Sequence, residues 1–143
     1  KAGSAPIQGV LDYAETVLGR GLYVMDTPGQ DVESMSGMAA GGVQVMVFTT
    51  GRGTPAGSPV MPVIKVTANR LTARRMRDNI DLDLSGVIEG TLTIAQAGQR
   101  ILDEVLARTA AARKPEEEVV KHDVMPLKQD GQLRDLAARL SRA

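Results

Sequence analysis

The chain of 143 residues contains no cysteine and no tryptophan, and only one phenylalanine, two tyrosines and one histidine. Without cysteine there is no disulfide, no thiolate nucleophile and no cysteine-ligated zinc or iron–sulfur centre, a usage that fits a cytoplasmic protein. With so few aromatic rings, there is almost nothing on which the bases of single-stranded nucleic acid could stack. Neither sign of charge predominates, because 17 Lys and Arg balance 17 Asp and Glu. No global field gathers nucleic acid or an anionic membrane, so neither is expected as a partner and anion recognition has to be local. No apolar run is long enough to cross a bilayer, and no segment reads as a signal peptide. What is present, 43% hydrophobic and 24% charged residues, suits one soluble domain with a tail.

Periodicity divides the chain into alternating elements. Val10, Leu11, Ala14, Val17 and Leu18 are spaced for a short amphipathic helix over Ile7 to Leu18. Gly21 to Asp26 reads as a buried strand stopped by Thr27-Pro28-Gly29. Asp31 to Ala40 places Val32, Met35, Met38 and Ala39 on one helical face, and Gly41-Gly42 ends it before a second strand over Gln44 to Thr50. The seven methionines lie mostly on such apolar faces and read as core filler. Pro55, Pro59 and Pro62 then impose an irregular loop, followed by a strand over Val63 to Thr67, a helix over Arg70 to Asn79 and a short strand over Leu82 to Leu84. Thr93 to Ala112 carries an Ile94, Ala97, Ile101, Leu102, Val105, Leu106 stripe and is the clearest helix. This alternation predicts an α/β fold, a Rossmann-like three-layer α/β/α sandwich with a mostly parallel sheet of three to five strands and helices on both faces. The domain is expected to span 1–112, with 113–143 forming a linker, an extended arm over Val119 to Leu127 and a short amphipathic helix through Leu133, Leu136, Ala137 and Leu140.

In open parallel sheets, ligands collect at the carboxyl ends of the strands. Three polar turns are expected on that rim: Asp26 to Gly29, Thr49 to Thr54, and Thr67 to Asn69. The richest is Thr49-Thr50-Gly51-Arg52-Gly53-Thr54, where two glycines admit close backbone approach and a guanidinium between them can fork onto a carboxylate or phosphate. The competing reading is a tight strand-exit turn with an arginine in solvent. Asp26, Asp31 and Glu33 offer carboxylates for a hard cation or for proton transfer, against helix-dipole pairing for the last two. Lys65 is either a cation able to stabilise an enolate or an exposed strand residue. His122 alone makes neither a triad nor a metal site. Val24 to Gly29 looks like the strand-DxxG element of GTPases, but no G-x-x-x-x-G-K-[ST] loop accompanies it, and no G-x-G-x-x-G opens a helix after the first strand.

Val10-Leu11-Asp12-Tyr13-Ala14-Glu15, Leu22 to Gly29, Asp31 to Gly42, Phe48 to Pro55 and Pro62 to Asn69 together resemble the C-terminal region of the altronate and galactarate dehydratases, a family of sugar-acid hydro-lyases. The resemblance runs from Ile7 to Ala107, and its most specific part is the Phe48-Thr49-Thr50-Gly51-Arg52-Gly53-Thr54-Pro55 string. It implies a lyase of carbohydrate-acid catabolism that converts galactarate or altronate to a 2-keto-3-deoxy acid with a divalent metal, iron(II) first, manganese or magnesium otherwise. On that reading Lys65 and Asp26 are the catalytic candidates. Thr49, Thr50, Gly51, Arg52, Gly53, Thr54 and Asn69 would bind substrate, and Asp26, Asp31 and Glu33 are the metal candidates unless the ligands lie outside this chain.

Family members are several times longer, so the chain is expected to be a C-terminal domain that works with the N-terminal domains of the same enzyme, in a homo-oligomer, and is inactive alone. Arg74-Arg75-Met76-Arg77-Asp78-Asn79-Ile80-Asp81 leans toward the galactarate branch. The alternatives are a non-catalytic recognition or oligomerisation domain, and a sulfolactate sulfo-lyase of the same family, since Arg52 would grip a sulfonate as it does a carboxylate.

Overall fold

A computed structural model describes residues 3–110. The expected linker, arm, terminal helix and His122 all lie outside the described residues. The element order is β1 (Ile7–Leu11), β2 (Leu22–Met25), α1 (Asp31–Ala40), β3 (Met46–Thr49), β4 (Val63–Thr67), α2 (Arg70–Arg75), β5 (Leu82–Asp83) and α3 (Ile94–Ala110), with a 3₁₀ turn at Ser85–Val87 before α3. All strand pairs are parallel, so the fold is α/β. The strands form two sheets, β1-β2 and β3-β4-β5, rather than one.

β4 is the axis of the larger sheet. Its five residues are all buried, as expected for a strand with a neighbour on each side and a helix on each face. Alternation sends Val63 to one face, where it meets Met35 of α1 together with Met46, Ala56 and Met61. Ile64 and Val66 face the other way, onto Leu84 and onto Ala97, Ile101 and Val105 of α3. The methionines that read as core filler are at this centre: Met35, Met46 and Met61 are all buried.

Four expectations are corrected. Ile7 to Leu18 is not a helix: Ile7–Leu11 is a strand, and Ala14 has φ 67°, a left-handed conformation that no helix accommodates. Of the residues at that spacing Leu11 is buried, while Val10, Val17 and Leu18 are exposed; what fixes β1 is its parallel pairing with β2. The expected β-α-β pairing of β2 with β3 does not form either, so the Asp26 to Gly29 turn ends a different sheet from the other two polar turns. β2 itself is half-exposed rather than buried, and α2 stops at Arg75 instead of Asn79.

The small sheet is fastened to α1 by the turn after β1. Tyr13 Oη donates to the Glu33 carbonyl at 2.7 Å, and its ring lies so close to Gly37 that a Cβ there would collide with it. Gly37 is buried for this reason.

On the other side of the molecule, Asp81 ties β4 to α3. One carboxylate oxygen accepts the Lys65 backbone N–H at 2.7 Å, while the Asp81 N–H donates to the Lys65 carbonyl at 2.9 Å. The other oxygen accepts from Arg108 of α3 at 2.9 Å, and Arg108 Nε donates to Glu104 at 2.7 Å. The Glu104 hydrogen bond, reinforced by Asp81, raises the Arg108 pKa above its usual value despite partial burial. A raised pKa contributes stability at every pH below arginine's ordinary range and loses it only above, so this pairing is constant across neutral conditions.

Removing the Asp81 carboxylate leaves the buried Lys65 N–H without its acceptor and Arg108 with Glu104 alone. Asp81→Ala is expected to lower unfolding free energy by about 1–3 kcal/mol in urea denaturation. Arg77→Ala, at an exposed 3.7 Å ion pair, should stay within about 0.5 kcal/mol. Equal effects of the two substitutions would refute the assignment.

Candidate anion-binding site

The Gly51-Arg52-Gly53 turn leaves the carboxyl end of β3 and crosses the start of α2. Asn69 is the N-cap of α2, with its Oδ1 accepting from the Leu71 and Thr72 backbone N–H groups. Its Nδ2 donates at 3.1 Å to the Gly51 carbonyl, which also accepts from Thr72 Oγ1 at 2.8 Å. The same asparagine therefore starts the helix and pins the loop to it.

Gly53 has φ 84°, and a Cβ at that position would strike the Met76 sulfur and reach within 3.0 Å of Thr72 Cγ2. Both the conformation and the space demand glycine. The Gly53 N–H donates to Thr50 Oγ1 at 3.0 Å, closing the turn, and the Ala56 N–H donates to Thr54 Oγ1 at 3.2 Å. Each hydroxyl keeps its own proton for a second partner.

Lys65 shares the β4 face of Val63 and Thr67 and is fully buried, at 0% exposure. Its Nζ donates at 3.2 Å to the carbonyl of Thr54, itself buried. The exposed-strand reading of Lys65 is thereby excluded. Two carbonyls of the loop are thus held, Gly51 from α2 and Thr54 from β4, and Arg52 lies between them. The Arg52 side chain is exposed and makes no hydrogen bond or ion pair with any of the described residues.

The structure brings Thr50, Gly51, Arg52, Gly53, Thr54, Lys65 and Asn69 together at the ends of β3 and β4, with Thr49 exposed as the last residue of β3. Asp26, Asp31 and Glu33 belong to the end of β2 and the first turn of α1. Asp31 and Glu33 sit where a carboxylate favours the helix dipole, and Asp26 is exposed. Among the described residues no three His, Asp or Glu side chains converge on a point that could hold a metal. No described helix is long and apolar enough to cross a membrane.

Sequence reasoning did not single out Thr72 or the Asp81–Arg108 pair. The Asn69-Arg70-Leu71-Thr72 start carried a usable signal, an N-cap asparagine, but reading it as a loop clamp requires knowing that Gly51 lies above it.

Residues 1–132 match the family model described as D-galactarate/Altronate dehydratase, C-terminal. Over 116 residues, 81% of this chain and 30% of the relative, the chain is 41% identical to the (2R)-sulfolactate sulfo-lyase subunit beta of Chromohalobacter salexigens. It is 46% identical over 69 residues to altronate dehydratase of Bacillus subtilis, covering 48% of this chain and 14% of that protein. It is 33% identical over 114 residues to galactarate dehydratase (L-threo-forming) of Escherichia coli, covering 80% of this chain and 22% of that protein. The chain therefore spans less than a third of these curated relatives.

The glycine requirement is testable at one atom. Gly53→Ala is expected to destabilise the protein by about 1–3 kcal/mol in thermal unfolding, from the left-handed backbone and the clash with Met76. Gly51→Ala, whose Cβ would meet nothing within 4 Å, should cost little. A Gly53→Ala protein as stable as the parent would show that the loop is not seated on α2 as described.

Proposed function

The chain belongs to the D-galactarate/altronate dehydratase C-terminal family, and from that premise we propose that it is the carboxylate-gripping domain of a hydro-lyase acting on a hexonic or hexaric acid. The observation that carries this reading is Arg52, an exposed guanidinium without a partner among the described residues, held on a loop clamped at the carbonyls on either side of it. An arginine with its fork unused is suited to a planar carboxylate, and the adjacent backbone amides and the Thr49 and Thr50 hydroxyls extend the contact to neighbouring oxygens.

The reaction is a β-elimination. A base takes the proton from the carbon beside the carboxylate, and the electron pair is delocalised into that carboxylate as an enolate. The C–O bond at the next carbon then breaks, the hydroxyl departs with a proton as water, and the enol becomes the 2-keto-3-deoxy acid. Positive charge on the carboxylate is most useful at the enolate stage, when a second negative charge develops there. Arg52 supplies that charge. Asp26 is the carboxylate of this chain proposed as proton acceptor, brought up from the end of β2.

The described residues do not assemble a metal set. Iron(II), or manganese or magnesium in its place, is assigned to side chains beyond those described. The rest of the enzyme, in the N-terminal domains that the longer relatives possess, is the proposed partner, within a homo-oligomer.

A second substrate reading is favoured by a specific finding, the 41% identity to a sulfo-lyase subunit. Elimination from a sulfonated hydroxy acid follows the same course, with the C–S bond breaking and sulfite leaving. Galactarate is the first choice within the sugar acids.

The test is an assay of the complete native protein with added iron(II), manganese or magnesium against galactarate, altronate, glucarate and sulfolactate, following 2-keto acid and sulfite. Release of a 2-keto acid from one sugar acid is expected, and Arg52→Ala should raise KM at least about tenfold. Sulfite from sulfolactate alone would transfer the assignment to the second substrate. Silence across the panel would leave a recognition or oligomerisation domain.

A further inference from the structure

We infer that Lys65 is a positioning residue, a buried cationic clamp that sets the height and direction of Arg52 by holding the Thr54 carbonyl. The inference rests on the carboxylate-gripping role of the loop.

A lysine is among the residues least often found fully buried, because stripping water from an ammonium is costly unless polar groups replace it. Lys65 is nevertheless one of the largest side chains wholly enclosed in this protein. Its stem runs along the same face of β4 as Val63, where Ala56 and Met61 of the loop's far end also pack. Its head meets the Thr54 carbonyl at 3.2 Å, two residues beyond Arg52. An ammonium in this place has no path to solvent on the described face. It therefore acts on whatever the loop binds through the loop itself.

Five further hydrogen bonds make the clamp rigid. The backbone of Lys65 is bracketed by Asp81, which accepts its N–H and donates to its carbonyl. Arg108 holds Asp81 in turn. On the opposite flank of Arg52, Thr72 and Asn69 fix the Gly51 carbonyl. Arg52 thus stands on a short span anchored at both ends, with its backbone freedom removed before any ligand arrives, and that preorganisation lowers the ordering cost of binding an anion. The bound carboxylate's negative potential in turn favours the ammonium beneath the loop, so anion binding and the clamp reinforce each other.

The discriminating experiment replaces Lys65 in the complete protein with Met, which keeps the stem and removes the charge and donors, and with Arg, which keeps both. Hydrogen exchange over residues 51–58 is measured alongside steady-state kinetics on the best sugar acid of the panel. For Lys65→Met the expected result is faster exchange of the Gly53 and Ala56 amides, KM raised about tenfold or more, and kcat changed less than about threefold. Lys65→Arg should recover most of the loop protection and of the affinity. A fall of kcat by orders of magnitude with KM and loop exchange unchanged would instead place the ammonium on the reacting atoms and overturn the inference. So would unchanged exchange and unchanged kinetics together. If the parent protein acts on nothing in the panel, the dehydratase reading fails, while the exchange comparison still decides the clamp. Should Lys65→Met not fold, Lys65→Gln, which retains a donor without the charge, is read by the same two criteria.

Discussion

The arrangement of this domain follows from an ammonium placed in the middle of a buried strand. β4 is enclosed on both faces and both edges, and four of its five side chains, Val63, Ile64, Val66 and Thr67, suit that environment. Lys65 does not, and burial of its charge is tolerable only where fixed dipoles replace the lost water. The Thr54 carbonyl is such a dipole, and it can be in place only if the loop after β3 folds back over the sheet. The proline-rich course from Pro55 to Pro62 serves this geometry, because it forbids the helix that would otherwise carry the chain away from β3. A loop held down by a buried charge presents its outer side chain, Arg52, in a fixed place.

The same strand organises the core. Because Val63 and Ile64 point to opposite faces, α1 and α3 are packed by neighbouring residues of a single five-residue segment. Asp81 adds a polar seam at the edge of β4, where its carboxylate takes the Lys65 N–H and joins the strand to Arg108 of α3. Packing and site geometry are therefore not separable here: the backbone that centres the core is the backbone that aims the lysine.

Elements with strong local signals were legible in the sequence. Asp31–Ala40 and Val63–Thr67 have the expected bounds, since in each the apolar spacing coincides with real burial. Ile7–Leu11 was misread because Val10, Leu11, Ala14 and Val17 satisfy a helical template by accident, while the partner that decides the matter, β2, is eleven residues further on. The division into two sheets was invisible for a similar reason: strand alternation says which elements exist but not which pair. The Gly51-Arg52-Gly53 turn was legible as the loop that leaves the second expected strand, because the glycines and the prolines after them exclude a helix there. The place of Lys65 was not, because a lysine flanked by apolar residues in a strand reads equally as the solvent face, and its ammonium is met by Thr54, eleven residues away.

The inventory of the loop also limits what this domain contributes to an elimination. Thr54 is buried, Asn69 divides its amide between the α2 cap and Gly51, and Lys65 is below the surface, which leaves Arg52, Thr49 and the free proton of the Thr50 hydroxyl for a ligand. That set can bind and polarise a carboxylate. It contains no carboxylate or imidazole to take a proton from carbon. On the proposed reading, the base approaches from elsewhere, from the β2 end of this chain or from another domain, and the leaving group is handled away from the loop. On that reading, a domain that grips only the carboxylate, which sugar acids and sulfonated hydroxy acids share, would serve elimination of water or of sulfite alike, in keeping with similarity to relatives named for both reactions.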